Sequence, residues 1–203
     1  MKDPLTKEEA MKDRTIKALV KHLLEHPESM EWTLQGFGML RCYLEPEVRL
    51  HVWDSRFKAP DVSELHTHPW DFHSLVVAGV VRNHRFVETT EGAHQGTGQQ
   101  IPRKRQTIRC GEGGGLVGEP VDVFLAEQPT ETFEAGETYT QKAEEIHRSI
   151  PEDGTVTIIE REFREDTEHA FVYFQGEWGT AEPRPASPAE VAAILDNALG
   201  TWF

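Results

Sequence analysis

The sequence predicts an antiparallel β-sandwich or barrel with one amphipathic helix at each end, and three observations carry that expectation. Between residues 37 and 175 the chain breaks into short runs rich in β-branched and aromatic residues. Gly, Pro and Asp punctuate these runs as turn residues do. No helical periodicity intervenes between them, so a parallel sheet with crossover helices is disfavoured.

Taken in order, Thr6 followed by Glu9 is a capping-box signature, and Ile16, Leu19, Val20, Leu23 and Leu24 recur at helical spacing behind it. A helix over 6–26 follows, broken at His26-Pro27. Strands are expected at 37–45, 48–54, 73–81, 83–88, 107–110, 121–126, 131–134, 138–142, 155–162 and 170–174. The polar, Gly- and Gln-rich stretch from Thr89, closing on Pro102-Arg103-Lys104-Arg105, predicts a long insertion loop at about 89–118. Gly113-Gly114-Gly115 lacks the lysine of a phosphate-binding loop and predicts a flexible turn. Ser187 caps the last helix, Pro188 suits its first turn, and Glu190 sits at the third position. Val191, Ile194, Leu195, Ala198 and Leu199 then give a helix over 187–200 its buried stripe.

The 203 residues suit a single domain over 1–203. A formal charge of -14 would repel phosphate backbones and anionic lipid, so neither nucleic acid nor a membrane surface is an expected partner. No apolar run approaches the roughly 20 residues of a membrane span, and MKDPLTKEEAMKD lacks the apolar stretch of a secretory signal. A cytoplasmic location is the expectation. Cys42 and Cys110 are too few for a thiolate cluster, so a metal would be held by imidazole and carboxylate.

In Leu65-His66-Thr67-His68-Pro69 two imidazoles sit two residues apart, so an extended backbone points both to one face. Imidazole suits iron, zinc, nickel, copper or cobalt better than calcium or magnesium. Each ring needs an acceptor for its other nitrogen, for which Asp71, Glu64 or backbone carbonyls are at hand. A turn and an apolar strand ending at Gly79 follow, and further on come Gly136, Tyr139 and His147.

These two regions resemble the motifs of the cupin superfamily. Gly79 lies eleven residues after His68, and His147 eleven after Gly136, as in that family. The resemblance spans roughly residues 60–152 and implies a double-stranded β-helix, the cupin jelly roll, over 37–175. It also implies that His66, His68 and His147 are metal ligands. Phe72 or His73 falls in the family's Glu position, according to the spacer. His73 is thus expected as a fourth ligand or an acid/base, with Asp71 a second candidate for that role. Lys142, Glu144, Pro151 and Pro60 depart from the motif.

Three-histidine cupins resemble thiol dioxygenases and some carbon-carbon-cleaving dioxygenases. The resemblance implies iron(II), ahead of zinc, nickel or manganese, and a small organic substrate, either a thiol or an enolisable compound. An amino-acid thiol would further need an arginine and a tyrosine, for which Arg41, Arg49, Arg56, Arg82 and Tyr139 are available. Two other readings stay open: a non-redox isomerase or epimerase acting on a sugar or sugar phosphate, and a non-catalytic metal or ligand sensor. A homodimer is the expected assembly, because cupins pair through sheet edges and exposed edges need cover. His22, His26, His51, His84, His94 and His169 read as surface or core-edge residues, Trp70 and Phe72 as packing, and the run Glu160–Asp166 as a solvated face.

Overall fold

Helix α1 (Lys7–Glu25) and helix α2 (Pro188–Trp202) both pack on one face of a sheet, and the residues that alternate along its strands explain why. The computed structural model describes residues 7–59, 64–91, 100–110, 115–165, 167, 169–176 and 183–203. The first sheet contains β1 (Thr33–Gln35), β2 (Phe37–Tyr43), β3 (Val48–Lys58), β5 (Trp70–Ala78), β10 (Thr138–Gln141), β12 (Val156–Phe163) and β14 (Arg184–Pro185), in the order β10-β5-β12-β3-β2-β1-β14. The second contains β4 (Leu65–His66), β6 (Val80–Thr89), β7 (Gln100–Arg109), β8 (Gly115–Glu127), β9 (Glu131–Glu134), β11 (Ile146–Pro151) and β13 (His169–Phe174), in the order β11-β4-β13-β7-β8-β6-β9. Every pairing is antiparallel. Because β11 pairs with β6 as well as β4, the second sheet closes on itself. The architecture is a mainly β sandwich with a helix at each end.

The first sheet is two-sided. Leu40, Cys42, Leu50, Val52, Val77 and Val156 point outward and meet Val20 and Leu24 of α1 and Val191, Ile194, Leu195 and Ala198 of α2. The alternate residues point inward and line a cavity between the sheets. The Ser187 capping box is formed: its hydroxyl accepts from the Glu190 N–H, and the Glu190 carboxylate accepts from the Ser187 N–H at 2.8 Å. On α1 the contact narrows to Ile16, Val20 and Leu24, four residues apart, and Leu19 is exposed instead of buried. Thr6 and its cap, Pro60, and residues 92–99 and 111–114 lie outside the described residues.

Among its described residues, the expected loop at 89–118 is largely strand. Gln100–Arg109 pairs with Gly115–Ala126, and residues 115–122 of β8 are exposed throughout. With that half of β8 exposed, no apolar alternation betrays the ribbon there, which is why composition suggested a loop. Strands β1, β4, β11 and β14 were likewise not expected, and two of them are only two residues long. No helix among the described residues is long and apolar enough to cross a membrane.

Gly79 makes the turn between β5 and β6 with φ +83°, and a Cβ there would lie 2.4 Å from Thr155 Oγ1 and 2.8 Å from Thr155 Cα. The second contact is backbone, so it cannot yield by a side-chain rotation. Gly79→Ala is expected to destabilise by about 3 kcal/mol, the upper end for a strained left-handed residue. A urea unfolding curve checks this; a midpoint equal to wild type would refute it.

Candidate metal centre

His66 ends β4, His147 lies directly opposite it on β11, and His68 follows β4 by two residues. One ligand atom from each lies within 4.8 Å of the others. The strand period explains why His66 and His68 share a face, and the β4–β11 register brings in the third ring. Two further bonds hold His68 in place. Its N–H donates to the Ala143 carbonyl at 2.9 Å, and Asp71 Oδ1 accepts from the Ala143 N–H at 2.8 Å. The turn leading into β11 is thus tied to both.

The free nitrogens can be deduced from fixed acceptors. Gln141 Nε2 donates to the Glu145 carbonyl at 3.1 Å, so its Oε1 must face Asn83, whose Nδ2 donates to it at 3.1 Å. Asn83 Oδ1 therefore faces His147 Nδ1 at 3.0 Å and accepts its N–H, which leaves His147 Nε2 bare. His66 Nδ1 donates to the Glu64 carbonyl at 2.9 Å, leaving its Nε2 bare as well. His68 Nε2 lies 3.0 Å from His147 Nε2. Two imidazole nitrogens bound at about 2.1 Å and at right angles to one ion would lie about 3.0 Å apart, so this pair fits a metal. Burial first, then neighbouring positive groups, hold His68 and His147 well below the ordinary histidine pKa. Burial lowers His66 as well, against the pull of Glu64. Neutral imidazole is the form that binds metal.

No protein-family model matches the sequence, and no curated protein matches it either. Three histidines close together can hold a metal ion; they do not by themselves select which one.

The proposed fourth ligands are displaced. His73 is exposed on β5, paired in register with Thr140 and Glu160, because alternation turns Phe72 inward and His73 outward. It cannot serve as a ligand or as an acid/base at the centre. Asp71 is also turned away and binds Lys142 Nζ at 2.6 Å and the Ala143 N–H. Tyr139 does line the cavity, but its ring contacts are Phe72 and Phe133. Its hydroxyl is pushed up by burial and sits beside Ser74 and Ser149.

The cavity measures about 1010 Å³, at the upper end for a small-molecule site. Trp70 and Phe72 form part of its wall: His68 stacks on Trp70 at 4.2 Å and meets Phe72 edge-on at 5.3 Å. Arg41, Arg49, His51 and Arg161 line it too. Arg56 and Arg82 do not; they pair with Asp54 and Glu152. Sequence reasoning missed Asn83, Gln141, His51 and Arg161. The one available signal was period-two alternation in Arg49-x-His51-x-Trp53 and Thr157-x-Ile159-x-Arg161.

Proposed function

We propose that the chain is a metal-dependent cupin, a double-stranded β-helix that holds a divalent ion, iron(II) foremost, on His66, His68 and His147 and oxidises a small organic molecule with dioxygen. The observation that carries this reading is three neutral imidazoles, with no carboxylate among them, facing a cavity of about 1010 Å³. Strand order supports it. The runs β3-β12-β5-β10 and β4-β11-β6-β9 are what eight strands wound as a folded ribbon produce. The positive-φ Gly79 and Gly136 supply the turns that the motif spacing requires.

Bound by three neutral ligands, iron(II) would keep its full charge and offer an anionic substrate and dioxygen a common meeting point. The chain's own residues do the rest. Asn83 and Glu64 fix which histidine nitrogens are free. Trp70 and Phe72 keep water from the inner wall and limit how a substrate can lie against His68 and His147.

The test is oxygen consumption by protein reconstituted anaerobically with iron(II), across a panel of small thiols and 1,3-diketones, some bearing anionic groups. Uptake that requires both iron and a substrate is the expected result. Stoichiometric metal without oxygen uptake on any member would overturn the oxidative reading.

A further inference from the structure

The inward face of β2, β3 and β12 carries a group of charges that the histidine centre does not use. The guanidinium carbons of Arg41, Arg49 and Arg161 lie 5.9, 4.8 and 5.5 Å from the centroid of one ring, that of Tyr43. Register brings them together: Arg41 pairs with His51, and Tyr43 with Arg49, which itself faces Ile159 two residues before Arg161. Arg161 is 9% exposed and His51 6%.

Three like charges on the inner wall of a protein with a net charge of -14 call for compensation, and among the described residues no carboxylate contacts them directly. Their partners are neutral: Thr33 and Gln35 for Arg41, the Tyr43 hydroxyl for Arg49, and the Pro46 carbonyl for Arg161. The exposed Glu47 attracts Arg161 only at a distance. The acidic residues that line the same cavity are already engaged: Asp54 by Arg56, Glu64 by Lys58 and Asp153 by Ser55. Arg49 Nε, Arg161 Nε and His51 Nε2 are buried without any hydrogen-bond partner. Burial, and then its two arginine neighbours, push Arg49 down to about 10.

We propose that Arg41, Arg49 and Arg161, together with His51, form a subsite for a doubly charged oxyanion, a phosphate monoester or a dicarboxylate, on the ligand of this cavity. A single carboxylate would leave two of the three cations uncompensated. An amino-acid head group fits worse, since at this cluster its ammonium would face guanidinium groups instead of a carboxylate. The Tyr43 and Trp70 rings hold the guanidinium groups in place and leave their N–H edges for paired contacts with oxyanion oxygens. Trp70 also sets the distance to the histidines. His68 stacks on it at 4.2 Å, and the Arg49 and Arg161 guanidinium carbons lie 5.5 Å from its centroid. A ligand anchored at the arginines would therefore present an atom only a few bonds from the anion to His68 and His147. This narrows the substrate class of the reading above, yet the subsite itself needs no metal.

The test is calorimetric titration of the full-length protein, freed of metal and dialysed clear of chelator, with inorganic phosphate, succinate and acetate in chloride buffer. Saturable binding of phosphate or succinate, at least tenfold tighter than acetate, is expected; whichever dianion binds tighter assigns the phosphate or dicarboxylate class. Arg49→Gln and Arg161→Gln should each weaken it at least tenfold, Arg49→Lys less, and Arg82→Gln, whose side chain pairs with Glu152 away from the cavity lining, should leave it intact. Circular dichroism confirms that each variant is folded, and Arg49→Lys serves where Arg49→Gln is not. Failure of the wild type to bind either dianion, equal binding of acetate, or unchanged binding by the arginine variants would overturn the subsite. Failure of the wild type to bind metal, with dianion binding retained, would instead count against the metal reading alone.

Discussion

Replacing His147 by alanine is expected to abolish stoichiometric metal binding while leaving the protein folded. His147 is the most enclosed of the three ligands, at 2% exposure, and it alone is contributed by β11. Its Nε2 faces His68 Nε2 at 3.0 Å, so its removal takes away half of the closest donor pair. The Asn83–Gln141 chain behind it is fully buried and ends on a backbone carbonyl. That chain gives an internal scale. Asn83→Ala should weaken metal binding about 10–100-fold, the usual range for a partner that only orients a ligand. His147→Ala should weaken it by more than about 100-fold, because a donor itself is lost. The alanine opens onto an existing cavity, so the fold tolerates it better than a void in a closed core. Equilibrium dialysis against zinc or iron(II), read by elemental analysis, measures both variants. Wild-type metal content in His147→Ala would remove the centre from consideration. A larger loss in Asn83→Ala than in His147→Ala would show that the buried network, not the ligand, governs binding.

How far these residues were legible in the sequence depended on whether a local period revealed them. His66 and His68 stood out because two residues apart in an extended chain means one face, and the β4–β11 register only had to add His147. The α2 stripe and its cap were equally plain, and Val191, Ile194, Leu195 and Ala198 are all buried. His73 failed for a related reason: motif spacing left open which of two adjacent residues faced inward, and alternation chose Phe72. Arg161 was hidden within the acidic run Glu160–Asp166, whose composition suggests a solvated face. On β12 that run still alternates, exposing Glu160 and burying Arg161. His51 sits between apolar neighbours that point to the helices, and its alternation with Arg49 and Trp53 is the one local mark that it faces the cavity. What no spacing reveals is that residues of β2, β3 and β12 meet, because strand register brings them together.

Acidification is expected to destabilise the metal-free protein before the carboxylates titrate. His51 and His147 are 6% and 2% exposed. Burial is the main cause that holds both well below the ordinary value of 6.5, seconded at His51 by Arg49, Arg41 and Arg161 and at His147 by His66 and Arg85. The unfolded chain takes up these protons near 6.5, whereas the fold refuses them until far lower. Stability is therefore undiminished above 6.5 and falls as pH drops below it, since protons then favour the unfolded state. Each such group steepens the fall by about 1.4 kcal/mol per pH unit and removes about 2 kcal/mol by roughly pH 5. His51 and His147 together remove about 4 kcal/mol, a large share of the 5–15 kcal/mol typical of a domain. His66 and His68 act in the same direction, burial again being the main cause. Urea unfolding of chelator-treated, dialysed protein from about pH 8 to pH 5 measures the slope. His51→Gln should flatten it by about one proton. Bound metal should shift the whole fall to lower pH, because it occupies the nitrogens that the protons need. A wild-type midpoint that does not move between about pH 7 and pH 5 would show that these imidazoles are already reached by solvent.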